Sequence, residues 1–150
     1  MIFVTTGTTL GFDGLIKSID DLIEKKQITE PVVCQIGNGK YIPKNSEYFR
    51  YKENIDDWLQ KASLVICHGG TGTVLALMAM KKPFIAVANP RMADEHQSQF
   101  LTKLGNSGCI LWTSNLDDLP ILIKKAYAFK PMPFSSEHLV DDLKEYLKSV

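Results

Sequence analysis

Apolar positions along the chain alternate between short continuous runs and longer stretches spaced three and four residues apart. Ile2-Phe3-Val4-Thr5-Thr6 reads as a buried strand ending at Gly7. Phe12, Leu15, Ile16, Ile19, Leu22 and Ile23 then fall at helical spacing, closed by Lys25-Lys26. Pro31 to Ile36 predicts a second strand stopped by Gly37-Asn38-Gly39, and Tyr48 to Tyr51 a short third one. A brief helix is expected over Ile55 to Lys61. The most apolar strand, Leu64 to Cys67, runs into a glycine-rich segment. Val74 to Met80 is apolar all round, which predicts a helix buried on most sides. Pro83 to Ala88 makes a fifth strand, with proline at its permitted first position. A helix over Glu95 to Leu104 leads to a sixth strand, Cys109 to Trp112.

Ser114 with Asp117 has the form of a capping box opening a helix that carries Leu116, Leu119, Leu122, Ile123 and Ala126. Pro131 and Pro133 interrupt the chain, and Leu139, Leu143, Tyr146, Leu147 and Val150 stripe a final helix over about 136–150. Strand and helix alternate throughout, without repeat or linker. The expected fold is therefore α/β: one Rossmann-like domain over 1–150 around a doubly wound, mostly parallel, six-stranded sheet. Ligands of such sheets sit beyond the carboxyl ends of the strands. That rule selects the loops that matter.

Composition narrows the partners. Seventeen basic residues balance seventeen acidic ones, so no field recruits nucleic acid or anionic lipid. The pairs Lys25-Lys26, Lys81-Lys82 and Lys124-Lys125 read as solvated helix ends. No run has the apolar length of a membrane span, and Met1-Ile2-Phe3-Val4 enters a strand without a basic leader. Cys34, Cys67 and Cys109 all lie in apolar runs, as small buried hydrophobes do in a reducing compartment. A cytoplasmic protein is expected.

Three loops could carry chemistry. Thr6-Gly7-Thr8-Thr9 follows the first strand, and His68-Gly69-Gly70-Thr71-Gly72-Thr73 follows the fourth. Glycine lets the backbone approach an anion, and N–H groups at a helix start donate to phosphate oxygens. Threonine hydroxyls add donors without charge, so the pair suits a diphosphate without a P-loop lysine. Neither loop has the dinucleotide fingerprint or the Walker pattern, and a plain glycine-rich turn is the competing account of each. The third loop, Asn89 to Gln97, gathers Asp94, Glu95, His96 and Gln97 at a helix start. These groups could bind sugar hydroxyls, or Asp94 and Gln97 could cap the helix; both can hold together. Cys67 and His68 are neighbours on a strand and point to opposite faces, so they form no local nucleophile–base pair or metal site. His96 and His138 lack zinc-ligand spacing, His138 is expected at the surface, and no G-x-S-x-G elbow is present.

Ile55-Asp56-Asp57, Leu64 to His68, Gly69-Gly70-Thr71-Gly72-Thr73, Pro83 and Asp94-Glu95-His96-Gln97 together resemble the C-terminal, donor-binding half of GT-B glycosyltransferases of the family 28 type. Within that type the chain is similar to the short soluble subunits of two-part UDP-sugar transferases of lipid-linked oligosaccharide, capsule or exopolysaccharide synthesis. The opening Met1 to Thr8 fits those subunits too, and the resemblance weakens after about Thr113.

The resemblance implies that Gly69, Gly70, Thr71, Gly72 and Thr73 after His68 hold the diphosphate of a UDP-sugar, with Gly7, Thr8 and Thr9 closing from the other side. It implies that the backbone around Ile55 meets the uracil, and that Glu95, His96 and Gln97 face the sugar; Asn89, opening the same loop, is a further candidate for substrate binding. Such enzymes invert at the anomeric carbon and stabilise the leaving diphosphate by helix dipole and hydrogen bonds, with no obligatory metal or cofactor. No general base is assignable; His96 and Glu95 are the local candidates. One position departs from the family. The carboxylate that grips the ribose, seven residues before the strand-five proline, is Ala76 here. GT-B chemistry also needs a second domain, so a membrane-anchored subunit is expected to bind the lipid-linked saccharide acceptor and hold this chain at the inner face of the membrane. The final helix could dock on that partner or pack on its own sheet. The alternative function is a nucleotide-sugar-binding or regulatory module without activity, which Ala76 favours; another phosphorylated ligand on a Rossmann-like fold is a third reading.

Overall fold

A strand that is apolar on both faces needs a layer of helices on each side. β1 (Ile2–Thr5), β4 (Leu64–His68) and β5 (Phe84–Val87) are such strands, with Phe3, Val4, Leu64, Val65, Ile66, Ile85 and Ala86 wholly inaccessible. In the computed structural model, which describes residues 1–7, 10–89 and 95–131 and gives Glu95 and His96 by backbone alone, they occupy the middle of a six-stranded sheet. β2 (Val32–Gln35), β3 (Glu47–Phe49) and β6 (Leu111–Thr113) complete the order β3-β2-β1-β4-β5-β6, and every neighbouring pair is parallel. The expected doubly wound α/β sheet is therefore present, and it is parallel throughout.

Period-two alternation divides the core into two layers. Ile2, Val4, Cys34, Ile36, Leu64, Ile66, Ile85 and Val87 pack under α1 (Asp13–Glu24) and α5 (Leu119–Ala126). Phe3, Val65, Cys67, Phe84 and Ala86 pack under α2 (Asp56–Lys61), α3 (Thr71–Met80) and α4 (Glu95–Asn106). Each fully buried Leu, Ile or Phe is worth about 1.5–3 kcal/mol relative to exposure. Among the described residues no helix is long and apolar enough to cross a membrane.

Several boundaries move for visible reasons. β2 begins at Val32 because Pro31 has no N–H to give, although its carbonyl accepts from Ile2 at 2.9 Å. β6 begins at Leu111 because the Cys109 N–H still closes the end of α4, donating to Leu104 O at 3.0 Å. The expected Ser114 cap is not used. Asn115 Oδ1 instead accepts from the Asp117 N–H at 3.0 Å, while Thr113 Oγ1 accepts from the Asn115 N–H and donates to the Asp118 carboxylate at 2.8 Å. Thr113, buried at the strand end, thus shifts the cap by one residue. A 3-10 turn, Leu116–Asp118, precedes α5.

Two expectations need correction. α3 is not buried on most sides: only Val74 and Leu77 are fully covered, while Gly72, Ala76 and Ala79 face outward. It is an outer-layer helix that meets the sheet along one face, and small residues make its other face apolar without bulk. Lys82 is not merely solvated: its Nζ donates to Gln60 O and Ala62 O at 2.8 and 2.7 Å, satisfying carbonyls that the end of α2 leaves open. The final helix expected over 136–150, and His138 with it, lie outside the described residues.

Candidate functional site

The order of the strands locates the crevice. From β1 the chain crosses by α1 to β2 on one side, while from β4 it crosses by α3 to β5 on the other, on opposite faces of the sheet. Adjacent parallel strands whose connections depart in opposite directions leave an opening above their carboxyl ends. The two glycine-rich loops picked from the sequence border that opening.

His68 closes β4. Strand alternation puts Cys67 in the α2–α4 layer and His68 on the other side, so the two do not converge. Burial pushes the Cys67 thiol up to about 12, which leaves it protonated and inert. The half-buried His68 ring lies across both loops: a Cβ added to Gly7 would come within 3.0 Å of Nε2, and one added to Gly70 within 2.5 Å. Burial lowers the imidazole pKa below its ordinary value; the nearby Thr5 backbone opposes this, yet Nδ1 has no hydrogen-bond partner of normal geometry. The ring is therefore a neutral wedge at neutral pH.

Gly70 is the residue before α3, with extended backbone and no side-chain cap. The first intrahelical bond runs from the Val74 N–H to Gly70 O at 3.0 Å, so the N–H groups of Thr71, Gly72 and Thr73 precede the hydrogen-bonded ladder. Unlike α1 and α2, this helix has no acidic residue in its first turn to satisfy the dipole. The glycines of this segment divide by cause. Gly69 admits α4, since a Cβ there would meet Leu101 Cδ1 at 2.7 Å and Gln97 Cδ at 3.4 Å; Gly70 admits His68. Around Gly72 nothing lies within 4 Å. Packing among the described residues does not require that glycine, and the space at its Cβ position is open.

The other side of the crevice is built on glycine as well. Gly7 has φ +84°, and its N–H donates to Thr5 Oγ1 at 3.3 Å; that hydroxyl donates to Gln35 Oε1 at 2.7 Å. Asn89, buried at the end of β5, reaches Gly11 O through Nδ2 at 3.5 Å. A cleft of about 450 Å³ between Gly11, Phe12, Gly14, Asn89, Asn115 and Leu116 opens beyond it. Ile55 precedes α2 at the same end of the sheet, half-buried against the Phe49–Trp58 cluster, with Asn54 Oδ1 accepting from the Asp56 N–H at 2.9 Å. Ala76 is exposed one turn beyond Gly72 on α3.

The structure therefore sets His68 against Gly7 and Gly70 and Gln97 against Gly69, sets Thr71, Gly72 and Thr73 at the helix start beside them, and puts Asn89 against the loop after β1. Thr8, Thr9 and Asp94 lie outside the described residues, and of Glu95 and His96 only the backbone, in the first turn of α4, is described. In the sequence, Gly37-Asn38-Gly39 marks the stop of a strand. It is more: a Cβ on Gly37, where φ is +56°, would meet Gly7 O at 2.9 Å, and one on Gly11 would meet Gly39 Cα at 2.3 Å. The G-x-G after β2 was the available signal.

Residues 1–138 match the glycosyltransferase family 28 C-terminal domain. The human UDP-N-acetylglucosamine transferase subunit ALG13 is 31% identical over 122 residues, 74% of this chain and 11% of the human protein. The subunit of the same name from Yarrowia lipolytica is 25% identical, with 97% of this chain and 83% of the relative covered. The chain spans only 11% and 10% of the human and mouse relatives. An NMR solution structure of ALG13 superposes with a TM-score of 0.61 at 19% identity, covering 99% of this chain and 96% of that one. The crystal structure of Acinetobacter baumannii MurG does so with 0.58 at 18% identity, covering 95% and 49%. At these identities the likeness to solved structures establishes a shared fold.

Proposed function

Because this chain belongs to the family of glycosyltransferase family 28 C-terminal domains, we propose that it is the donor-binding, catalytic subunit of a heteromeric, inverting glycosyltransferase that moves a sugar from a UDP-sugar to a lipid-linked acceptor in polysaccharide or oligosaccharide synthesis. One observation carries this reading: the uncapped start of α3, without an acid in its first turn and with open space around Gly72, borders the topological crevice. Charge that develops on a leaving diphosphate is stabilised there by the N–H groups of Thr71, Gly72 and Thr73 and by the helix dipole, so no metal or cofactor is obligatory. Gly7, Thr8 and Thr9 close over the phosphates, Ile55 meets the nucleobase, and Asn89, Glu95, His96 and Gln97 face the sugar. The general base is His96 or Glu95, or is supplied by the partner.

The names of the relatives support the donor class: the human and Yarrowia proteins are UDP-N-acetylglucosamine transferase subunits. A second, membrane-anchored chain supplies the acceptor site and keeps this one at the inner face of the membrane. The test is sugar transfer from UDP-sugars by the chain alone and by the chain co-expressed in membranes with the product of the adjacent open reading frame. Transfer only in the mixture supports the proposal.

A second reading rests on Ala76. It is exposed on the helix where the family holds the ribose with a carboxylate, and no acid occurs from Val74 to Met80. A nucleotide-sugar-binding module without activity would bind UDP-sugar tightly and transfer nothing in any mixture. Absence of UDP binding at millimolar concentration would sink both readings.

A further inference from the structure

The loop after β1 is held from two sides, and only one of them belongs to the crevice. On the crevice side stands His68. On the far side, the turn Gly37–Gly39 lies backbone against backbone on Gly7 and Gly11, with no side chain between them to adjust. The position of that turn therefore sets the position of the loop.

One cation bridges the two glycines of the turn. Arg50 Nη1 donates to Gly37 O at 3.1 Å and to Gly39 O at 2.8 Å. Its backbone carbonyl accepts from the Gly37 N–H at 2.9 Å, and the Gly39 N–H donates back to Ile36 O at 2.9 Å. Asp13, the first residue of α1, closes the ring: its Oδ1 accepts from the N–H groups of Lys40 and Tyr41 at 2.9 and 3.1 Å. The guanidinium thus bridges two carbonyls of a turn whose opposite face is the wall of the loop. Hydrogen bonds from a charged donor are about twice as strong as neutral ones, and this one bridges the two glycines that touch Gly7 and Gly11.

We propose that Arg50 is a positioning residue for nucleotide binding: through the turn Gly37–Gly39 it fixes Gly7 and Gly11, and hence the distance between the loop after β1 and the start of α3. The inference rests on the reading of that crevice as the donor site. Arg50 itself is exposed and far along the chain from both loops, so its replacement leaves the buried core intact. The fixed element is the placement of Gly7 and Gly11 relative to the start of α3. A diphosphate spanning that gap is bound more weakly when one wall is free to move, because the ordering then occurs at binding.

The full 150-residue chain is compared with three variants, Arg50→Met, Arg50→Lys and Tyr41→Phe. Tyr41→Phe removes a bond from the same connection, Tyr41 Oη to Asp20 Oδ2 at 2.7 Å, at a point that does not touch the glycine stack. The first readout needs no ligand: hydrogen exchange of the Gly7, Gly11 and Gly70–Thr73 amides. R50M is expected to speed exchange at Gly7 and Gly11, and R50K and Y41F to leave it near wild type. The second readout is UDP affinity by calorimetry, with about tenfold weaker binding for R50M, most of it restored in R50K, and none lost in Y41F. Should R50M precipitate, Arg50→Gln takes its place. Unchanged exchange at Gly7 and Gly11, or equal losses of affinity in R50M and Y41F, overturns the inference. If the wild-type chain binds no UDP, the donor-site reading falls, and the exchange measurement alone decides whether Arg50 holds the loop.

Discussion

The His68 ring occupies the place where a side chain on Gly70 would begin: a Cβ there would sit 2.5 Å from Nε2. An imidazole is rigid and cannot flex away as the end of a lysine would. Gly70→Ala must displace either the ring or the start of α3, at about 1–3 kcal/mol. Gly72, two residues on, has nothing within 4 Å of its Cβ position and lies in a helix, so Gly72→Ala should be neutral or stabilising by up to about 1 kcal/mol. Thermal denaturation separates the two variants. If G72A keeps full stability yet loses UDP affinity in a binding titration, the ligand lies against that glycine.

His68 also makes stability depend on pH. Its folded pKa is lowered by burial, so the unfolded chain binds the proton more readily. The contribution is complete above the unfolded imidazole value, about 6.5, and is lost as pH falls below it. Urea midpoints taken between pH 8 and 5 should decline on the acid side, and His68→Phe should flatten that decline. A midpoint that rises on acidification in the wild type, by the same amount as in H68F, would contradict the buried neutral ring.

Asp20 lies under the β2–β3 connection, 2% exposed. Burial would raise its pKa, but the N–H groups of Lys44 and Asn45 and the Tyr41 hydroxyl outweigh it and the net shift is downward. Stability from this carboxylate is present above the ordinary carboxylate value of 3.8 and is lost as pH falls through the lower, folded value. Asp20→Asn keeps the shape but turns one acceptor oxygen into a donor, which then faces the Asn45 N–H at one position or the Lys44 N–H and Tyr41 hydroxyl at the other. A loss of about 2–3 kcal/mol by chemical denaturation is expected.

Cys34 and Cys67 have thiols pushed by burial up to about 11 and about 12. At pH 8 the native chain should react with iodoacetamide far more slowly than the chain in urea, as intact-mass kinetics would show. Because the folded thiols hold their protons beyond the ordinary value of 9.0, stability should fall as pH rises above it. Rapid alkylation of native Cys67 would mean that its layer opens freely.

The sheet was legible because its strands are short, apolar on both faces and separated by helical spacing, and a layer of helices on each side covers both faces of Phe3-Val4 and Val65-Ile66. The crevice was legible because strand order and glycine-rich loops coincide at β1 and β4. Which glycine serves which purpose was not. Gly69, Gly70 and Gly72 read alike in the chain, and only the approach of Leu101 and His68 separates the two that packing demands from the one it leaves open.

The same holds for caps and for the residues that brace the turns. Ser114 and Asn115 are both good caps, and the choice fell to Asn115 because Thr113 reaches Asp118. Arg50 is an ordinary surface arginine until the turn Gly37–Gly39 is folded against Gly7 and Gly11. Local pattern by itself determined the layers, the order of the elements and the end of the sheet where the glycine-rich loops gather, since these follow from hydrophobic period and chain direction. Tertiary structure alone decided which side chains hold the loops in place, because those contacts join residues on different elements, such as Arg50 with Gly37 and Gly39 and His68 with Gly7, and no periodicity records them.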